Sequence, residues 1–269
     1  MDCKYIFLDI DGTLVDFQGK LADSALKALE TAKSNGHKLF VCTGRQRSQI
    51  YPWLLEKVKF DGAVCSSGAY VMADGECIAQ HCFSKEYITF LSDYFTAAHT
   101  PYCVQTEHTL MLEKWCGDAR VEHYLADGKI DSLFGMTKIV ESVPELTVAE
   151  KLIYYGAPKG LSDVAADLGD RFSVVRYSFG SMGDRCGEVT DSRYTKATGM
   201  AEILRRFDAP QSATIAFGDG DNDLEMMDFA SFGVAMGNGT PALRAAADMV
   251  TDDINSNGLY NAFKKLGLI

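Results

Sequence analysis

No apolar stretch in this sequence is long enough to cross a bilayer as a helix, so a spanning segment of that kind is excluded. Basic residues are in deficit: 26 of them stand against 37 acidic ones, for a formal charge of -11. Nucleic acid and anionic membrane are therefore disfavoured as partners, since both call for a basic face. An anionic substrate must instead be drawn in by local cations. Cysteine motifs are absent too: the eight cysteines (Cys3, Cys42, Cys65, Cys77, Cys82, Cys103, Cys116 and Cys186) form no CxxC pair and no metal-ligand spacing, and although their number alone would permit disulfides, nothing else supports them. They are expected to be free thiols in a reducing compartment, with Cys42 and Cys65 acting as small hydrophobes inside apolar runs. The N-terminus enters an apolar strand almost at once, leaving no room for a signal peptide, so a cytoplasmic location is expected. No internal repeat or low-complexity linker interrupts the chain. What remains is 269 residues of ordinary balance, 47% hydrophobic and 23% charged, enough for a large core and two domains.

The most informative segment is Asp9-Ile10-Asp11-Gly12-Thr13, which follows the apolar run Tyr5-Ile6-Phe7-Leu8. That run reads as a short, fully buried strand of a parallel sheet. Two carboxylates spaced i, i+2 then fall where the strand should end, and Gly12 allows a sharp turn. Ligands of open α/β sheets bind at the carboxyl ends of the strands. Two acids brought together there repel one another unless a cation or a proton separates them. The residues point to a metal-assisted site in which one aspartate is a nucleophile and the other an acid and base.

Alternation of strands and helices surrounds this segment. A helix capped by Asp23 or Ser24 ends at Gly36, a strand covers Lys38 to Cys42, and Thr43-Gly44-Arg45 leads into a helix through Tyr51 and Leu55. A third strand spans Ala63 to Cys65. The pattern predicts a parallel sheet built by right-handed crossovers. It breaks at Tyr70 to Met72 and Glu76 to Ala79, which flank the hairpin signal Asp74-Gly75. Between about residues 83 and 190 the elements are mixed: helices at Ser84 to Ala98 and Leu161 to Leu168, and strands at Tyr102 to Gln105, Thr109 to Leu112, Lys151 to Tyr155, Phe172 to Tyr177 and Gly187 to Thr190. This predicts an inserted α+β domain with an antiparallel sheet. The alternation resumes with a helix over Lys196 to Phe207, a strand over Thr214 to Phe217, the loop Gly218 to Asp223, and a strand over Ser231 to Met236. Short helices follow Pro241 and lie near Leu259.

Four clusters fall at strand ends or helix starts. Asp9 and Asp11 are the first. Thr43-Gly44, a hydroxyl with backbone amides at a helix start, would make an anion nest. Lys196 could hold a phosphate as a point charge. The loop from Asp219 to Asp223 supplies hard oxygen ligands suited to Mg²⁺, with no histidine or paired cysteine beside it. Each also has a structural reading: Asp-Gly is a frequent turn, Thr and Gly abound in loops, a lone Lys is usually solvated, and an acidic loop could hold calcium. The last lacks the later glutamate of an EF-hand. Their order and common placement favour the functional reading.

Taken together, Asp9-x-Asp11-Gly12-Thr13-Leu14, Thr43-Gly44-Arg45, Lys196 and Gly218-Asp219-x-x-Asn222-Asp223 resemble the four motifs of the haloacid dehalogenase superfamily of phosphatases, specifically its Cof-type members with a type IIB cap. The likeness spans nearly the whole chain; one departure is Ala197, where such proteins usually have glycine after the motif lysine. The resemblance implies a Rossmann-like, doubly wound α/β core over residues 1–82 and 191–269, with an α+β cap over 83–190. It implies Asp9 as nucleophile and Asp11 as acid and base, with Ile10, Thr43, Gly44, Lys196 and Asn222 on the transferring phosphate. Mg²⁺ would be held by Asp9, the backbone carbonyl of Asp11, Asp219 and Asp223. The implied activity is hydrolysis of a small phosphomonoester, a sugar phosphate or phosphorylated cofactor, by a monomer or weak homodimer. Phosphotransfer to a sugar hydroxyl, or a phosphometabolite-binding regulator without turnover, are the alternatives. Arg45 and Glu188 are candidate substrate contacts, although Glu188 reads equally as an exposed strand residue and Arg45 as the partner of a core carboxylate. Tyr102, Trp115 and Tyr154 could line the cap or fill its core.

Overall fold

The computed structural model describes residues 2–117, 137–176 and 183–269. Its strands, in chain order, are β1 (Tyr5–Leu8), β2 (Lys38–Cys42), β3 (Gly62–Cys65), β4 (Tyr70–Ala73), β5 (Glu76–Gln80), β6 (Tyr102–Gln105), β7 (Leu110–Glu113), β8 (Thr137–Val140), β9 (Lys151–Tyr154), β10 (Phe172–Arg176), β11 (Gly187–Asp191), β12 (Thr214–Gly218), β13 (Phe232–Ala235) and β14 (Met249–Val250). Two compact units result: residues 1–45, 49–79 and 195–269 form one, and residues 46–48 and 80–194 the other.

In the first unit eight strands lie in the order β14-β13-β12-β1-β2-β3-β4-β5. From β14 through β3 every pairing is parallel, and the sheet turns antiparallel where β3 meets β4. The hairpin after β4 is made at Asp74 and Gly75, which both take positive φ (52° and 82°), as a tight two-residue turn between twisted strands requires. Successive strand residues point to opposite faces, and both faces are covered. Ile6, Leu8, Leu39, Val41, Ile215 and Phe217 pack with Ala28 and Leu29 of the helix Asp23–Ser34 and with Phe263 of the helix Gly258–Lys265. Phe7, Phe40, Cys42, Val64 and Ala216 pack on the other side with Met200 and Ile203 of the helix Lys196–Arg206 and Met226 of the helix Leu224–Phe229. This is the doubly wound arrangement expected from continuous apolar runs, and it sends the carboxyl ends of β1, β2, β12 and β13 to one edge.

The second unit holds a six-stranded sheet, β10-β11-β9-β6-β7-β8, with the helices Lys85–Ala97 and Leu161–Leu168. Ser84 caps the first helix by accepting from the Tyr87 amide. The sheet is antiparallel from β10 to β7, but β7 and β8 run parallel, contrary to the all-antiparallel expectation. Tyr102 and Tyr154 belong to the core of this unit, and Phe95 stacks on Tyr154 with centroids 4.9 Å apart. Trp115 packs against that core and donates to Glu113. The strand expected to reach Tyr177 is β10 as far as Arg176, Tyr177 lying outside the described residues. Glu188 is not an exposed strand residue: it is buried and accepts a hydrogen bond from the buried Lys151 ammonium at 2.7 Å. All eight cysteines are free, with Cys42 and Cys65 fully buried. No helix among the described residues is long and apolar enough to cross a membrane.

Candidate active site

Asp9 follows β1 directly, and its amide donates to Phe217 O of β12, so the loop leaves the sheet from a fixed point. The amides of Thr13, Leu14 and Val15 all turn back onto Ile10 O. The Ile10 side chain is fully buried, so any part it plays in holding a ligand falls to its backbone. Gly12 sits at φ 86°, and a Cβ there would lie 2.1 Å from Asp219 Oδ2, so this turn needs glycine for conformation and for space. Thr13 closes the contact between the two loops by donating from Oγ1 to Asp219 Oδ1 at 2.9 Å.

Lys196 opens its helix behind a capping box made by Thr195 and Thr198. An ammonium is poorly placed at a helix N-terminus, and here two carboxylates compensate. Lys196 Nζ donates to Asp9 Oδ1 at 2.6 Å and to Asp223 Oδ1 at 2.5 Å, all three groups being buried. Asp223 Oδ2 accepts from the amides of Asp219 and Gly220, both at 3.0 Å, which ties the Asp219–Asp223 loop to the lysine.

Asp9, Asp219 and Asp223 offer carboxylate oxygens that all lie within 4.8 Å of one another. Three carboxylates against one ammonium leave a buried excess of negative charge. Burial, with Asp223 next, pushes the Asp219 carboxyl up to about 7. Burial likewise holds Asp9 well above the carboxylate range, reinforced by Asp223 and Asp219 and opposed by Lys196. Burial alone would lower the Lys196 ammonium, but Asp223 and Asp9 more than offset it and hold it protonated. A hard divalent cation fits this donor set, because it would neutralise the excess through oxygen ligands alone.

Asp11 is turned to other company. Its carboxylate takes both prongs of Arg45, Nε to Oδ2 and Nη2 to Oδ1, each at 2.7 Å. The Asp11 carboxylate is thus bound to Arg45 and is not one of the three grouped carboxylates of Asp9, Asp219 and Asp223.

The family model for haloacid dehalogenase-like hydrolases matches residues 6–263. The chain belongs to this family. YkrA of Bacillus subtilis, named as a phosphatase, is 27% identical over the whole of both chains. The 5-amino-6-(5-phospho-D-ribitylamino)uracil phosphatase YitU of the same organism is 27% identical over 97% of this chain and 96% of its own length. Among solved structures, the haloacid dehalogenase subclass IIB sugar phosphatase BT4131 superposes with a TM-score of 0.83 at 27% identity, covering 99% of this chain and 100% of that one.

As a haloacid dehalogenase-like hydrolase the chain departs from its sequence reading at Thr43-Gly44. No helix begins there: a single 3₁₀ turn covers Arg47–Gln49, and the helix starts only at Pro52 and runs to Lys57. Proline has no amide to donate and is suited to the first helical position, which sets the start. The buried Thr43 hydroxyl instead accepts from the Arg45 amide at 3.2 Å, and Thr43 O accepts from the Ser67 amide. Asn222 lies partly buried in the 3₁₀ turn Asp221–Asp223. Sequence reasoning passed over Asn238. Its amide donates to Gly12 O at 2.8 Å and its oxygen accepts from the Ile254 amide at 2.9 Å. Thr240 N donates to Asp219 O, so this loop braces both aspartate loops. The signal was present: Gly237-Asn238-Gly239 closely follows a buried strand, as the other site loops do.

Proposed function

We propose that this hydrolase is a Mg²⁺-dependent phosphatase acting on a small phosphomonoester through an aspartyl-phosphate intermediate. The observation that carries the reading is Asp9 at the end of β1, held by the Lys196 ammonium within a three-carboxylate cluster. Asp9, Asp219 and Asp223, with the Asp11 carbonyl, would hold the magnesium ion. It would supply charge neutralisation at the transferring oxygens and keep the Asp9 carboxylate ionised.

An Asp9 oxygen attacks phosphorus in line, the phosphorus–ester oxygen bond breaks, and Asp11 gives its proton to the leaving oxygen. Asp11 then takes a proton from water, whose oxygen attacks phosphorus and releases phosphate and free Asp9. Lys196, backbone groups of Ile10 and Gly44, and the side chains of Thr43 and Asn222 grip the transferring oxygens and stabilise charge as it develops. The activities named for relatives, on a phosphorylated ribitylamino-uracil, on pyridoxal phosphate and on sugar phosphates, support a small phosphorylated metabolite.

Phosphate release over a panel of phosphometabolites, with and without Mg²⁺, tests this reading. Turnover is expected only with the metal, and Asp9→Asn is expected to abolish it in a folded protein, since an amide cannot form the phosphoenzyme. Full activity after exhaustive chelation would refute the metal role. Product analysis with an added sugar acceptor separates hydrolysis from phosphotransfer.

A further inference from the structure

The two-pronged hold of Arg45 on Asp11 fixes both the position and the plane of that carboxylate, which a single hydrogen bond cannot do. Arg45 is itself held. Its Nη1 donates to Gln49 O at 2.9 Å and its Nη2 to the Tyr51 hydroxyl at 2.8 Å. The guanidinium carbon lies 4.3 Å from the centroid of the Tyr51 ring, which stacks in turn on Trp53 at 5.5 Å. The Arg45 side chain is only 10% exposed, whereas that of Asp11 is 27% exposed. Arginine has five N–H donors, and these four bonds leave at most one for a substrate. A side chain so committed is a poor substrate hook and a good bracket.

We propose that Arg45, backed by Tyr51, is a positioning residue for the acid–base step and acts on the reaction only through Asp11. This rests on the phosphatase reading. A guanidinium can only donate, so the Asp11 oxygen that delivers the proton must leave its prong while the other prong keeps the group in place. The proton passes from that oxygen to the ester oxygen as its bond to phosphorus breaks, and on the return step the same oxygen accepts the proton of water. Lysine in place of Arg45 would keep the charge but lose the fork.

A kinetic double-mutant cycle on the Mg²⁺-loaded enzyme tests this, using Arg45→Met, Asp11→Asn and the double variant on an alkyl phosphate and on nitrophenyl phosphate. Arg45→Met is expected to lower kcat on the alkyl phosphate by about 10²-fold, the cost of a misplaced catalytic group. The loss should be much smaller on nitrophenyl phosphate, whose leaving group needs no proton. KM should stay within about two-fold, and in the Asp11→Asn background the substitution should have no further effect. Arg45→Lys should restore part of the rate, and Tyr51→Phe should show a weaker loss with the same leaving-group pattern. These two carry the test if Arg45→Met does not fold. A KM increase shared by both substrates, or losses that multiply in the double variant, would mean that Arg45 touches substrate and would overturn the proposal. A parent enzyme that hydrolyses neither ester overturns the phosphatase reading itself, and this inference with it.

Discussion

The Lys196 ammonium and the Asp9 carboxylate meet at 2.6 Å inside the protein, joining the start of one helix to the end of the first strand. Removing one member of a buried ion pair leaves its partner charged and unsolvated, at a cost of about 3–5 kcal/mol. Lys196→Met is therefore expected to destabilise the metal-free protein by that amount at pH 8, besides abolishing turnover. At pH 5 the loss should shrink, because the Asp219 carboxyl, raised to about 7, is then protonated, and burial shifts Asp9 toward its neutral form in the same direction. Urea unfolding at the two pH values checks this; an equal loss at both would show that the lysine does not balance these carboxylates.

The raised Asp219 carboxyl makes metal-free stability depend on pH. In the unfolded chain Asp219 releases its proton near 3.8, but in the folded protein only near 7. Between those values the folded state holds a proton that the unfolded state has lost, so stability falls as pH rises. The contribution is complete below about 3.8 and gone above about 7, with Asp9 acting in the same direction. The fall should amount to a few kcal/mol. Because Mg²⁺ competes with these protons, its affinity should strengthen as pH rises toward 7 and above. Thermal unfolding with and without Mg²⁺ across pH 5–8 measures both, and metal-free stability that is flat or rising over that range would contradict the buried-charge account.

Legibility in the sequence followed the range of the interactions. Tyr5–Leu8, Tyr102–Gln105 and Leu161–Leu168 form where short apolar runs and helical spacing predicted them, because such patterns are decided by neighbours along the chain. The doubly wound core followed from the same alternation. Thr43-Gly44 was misplaced at a helix start because the start is set by Pro52, several residues on. The parallel sense of β7 with β8 is a relation between separate segments that no local pattern encodes. Contacts across the fold were the least accessible. Arg45 reaches Asp11 across 34 positions and Lys196 reaches Asp9 across 187, so the residue types were visible but their bonds were not. The exposed-strand reading of Glu188 failed for the same reason, its burial being set by Lys151 on a neighbouring strand.

That pair makes its own prediction. Lys151 and Glu188 are both buried, so Glu188→Ala deprives a desolvated ammonium of its carboxylate and should cost about 3–5 kcal/mol. Replacing both residues by leucine or methionine should cost much less, since no charge then stays buried. Denaturant unfolding of the single and double variants decides it: a double variant as unstable as the single one would mean that the pair is held for shape, not for charge.

Gly12→Ala separates the architecture of the site from its packing. Residue 12 adopts φ 86°, which disfavours any residue with a Cβ, and the new carbon would fall 2.1 Å from Asp219 Oδ2. Either the turn shifts or the Asp219 carboxylate swings away, breaking its bond from Thr13 Oγ1. Both outcomes disturb the spacing of Asp219 from Asp9, while the apolar faces of the sheet are untouched. The backbone strain alone should cost about 1–2 kcal/mol, a loss the large core can absorb. The expected result is a folded protein with a sharply raised Mg²⁺ requirement and activity reduced by about 10²-fold, the scale of a small misplacement in a catalytic site. Titrating activity against Mg²⁺ for the variant and the parent decides the matter. An unchanged metal requirement in the folded variant would show that the Gly12 turn does not set the position of Asp219.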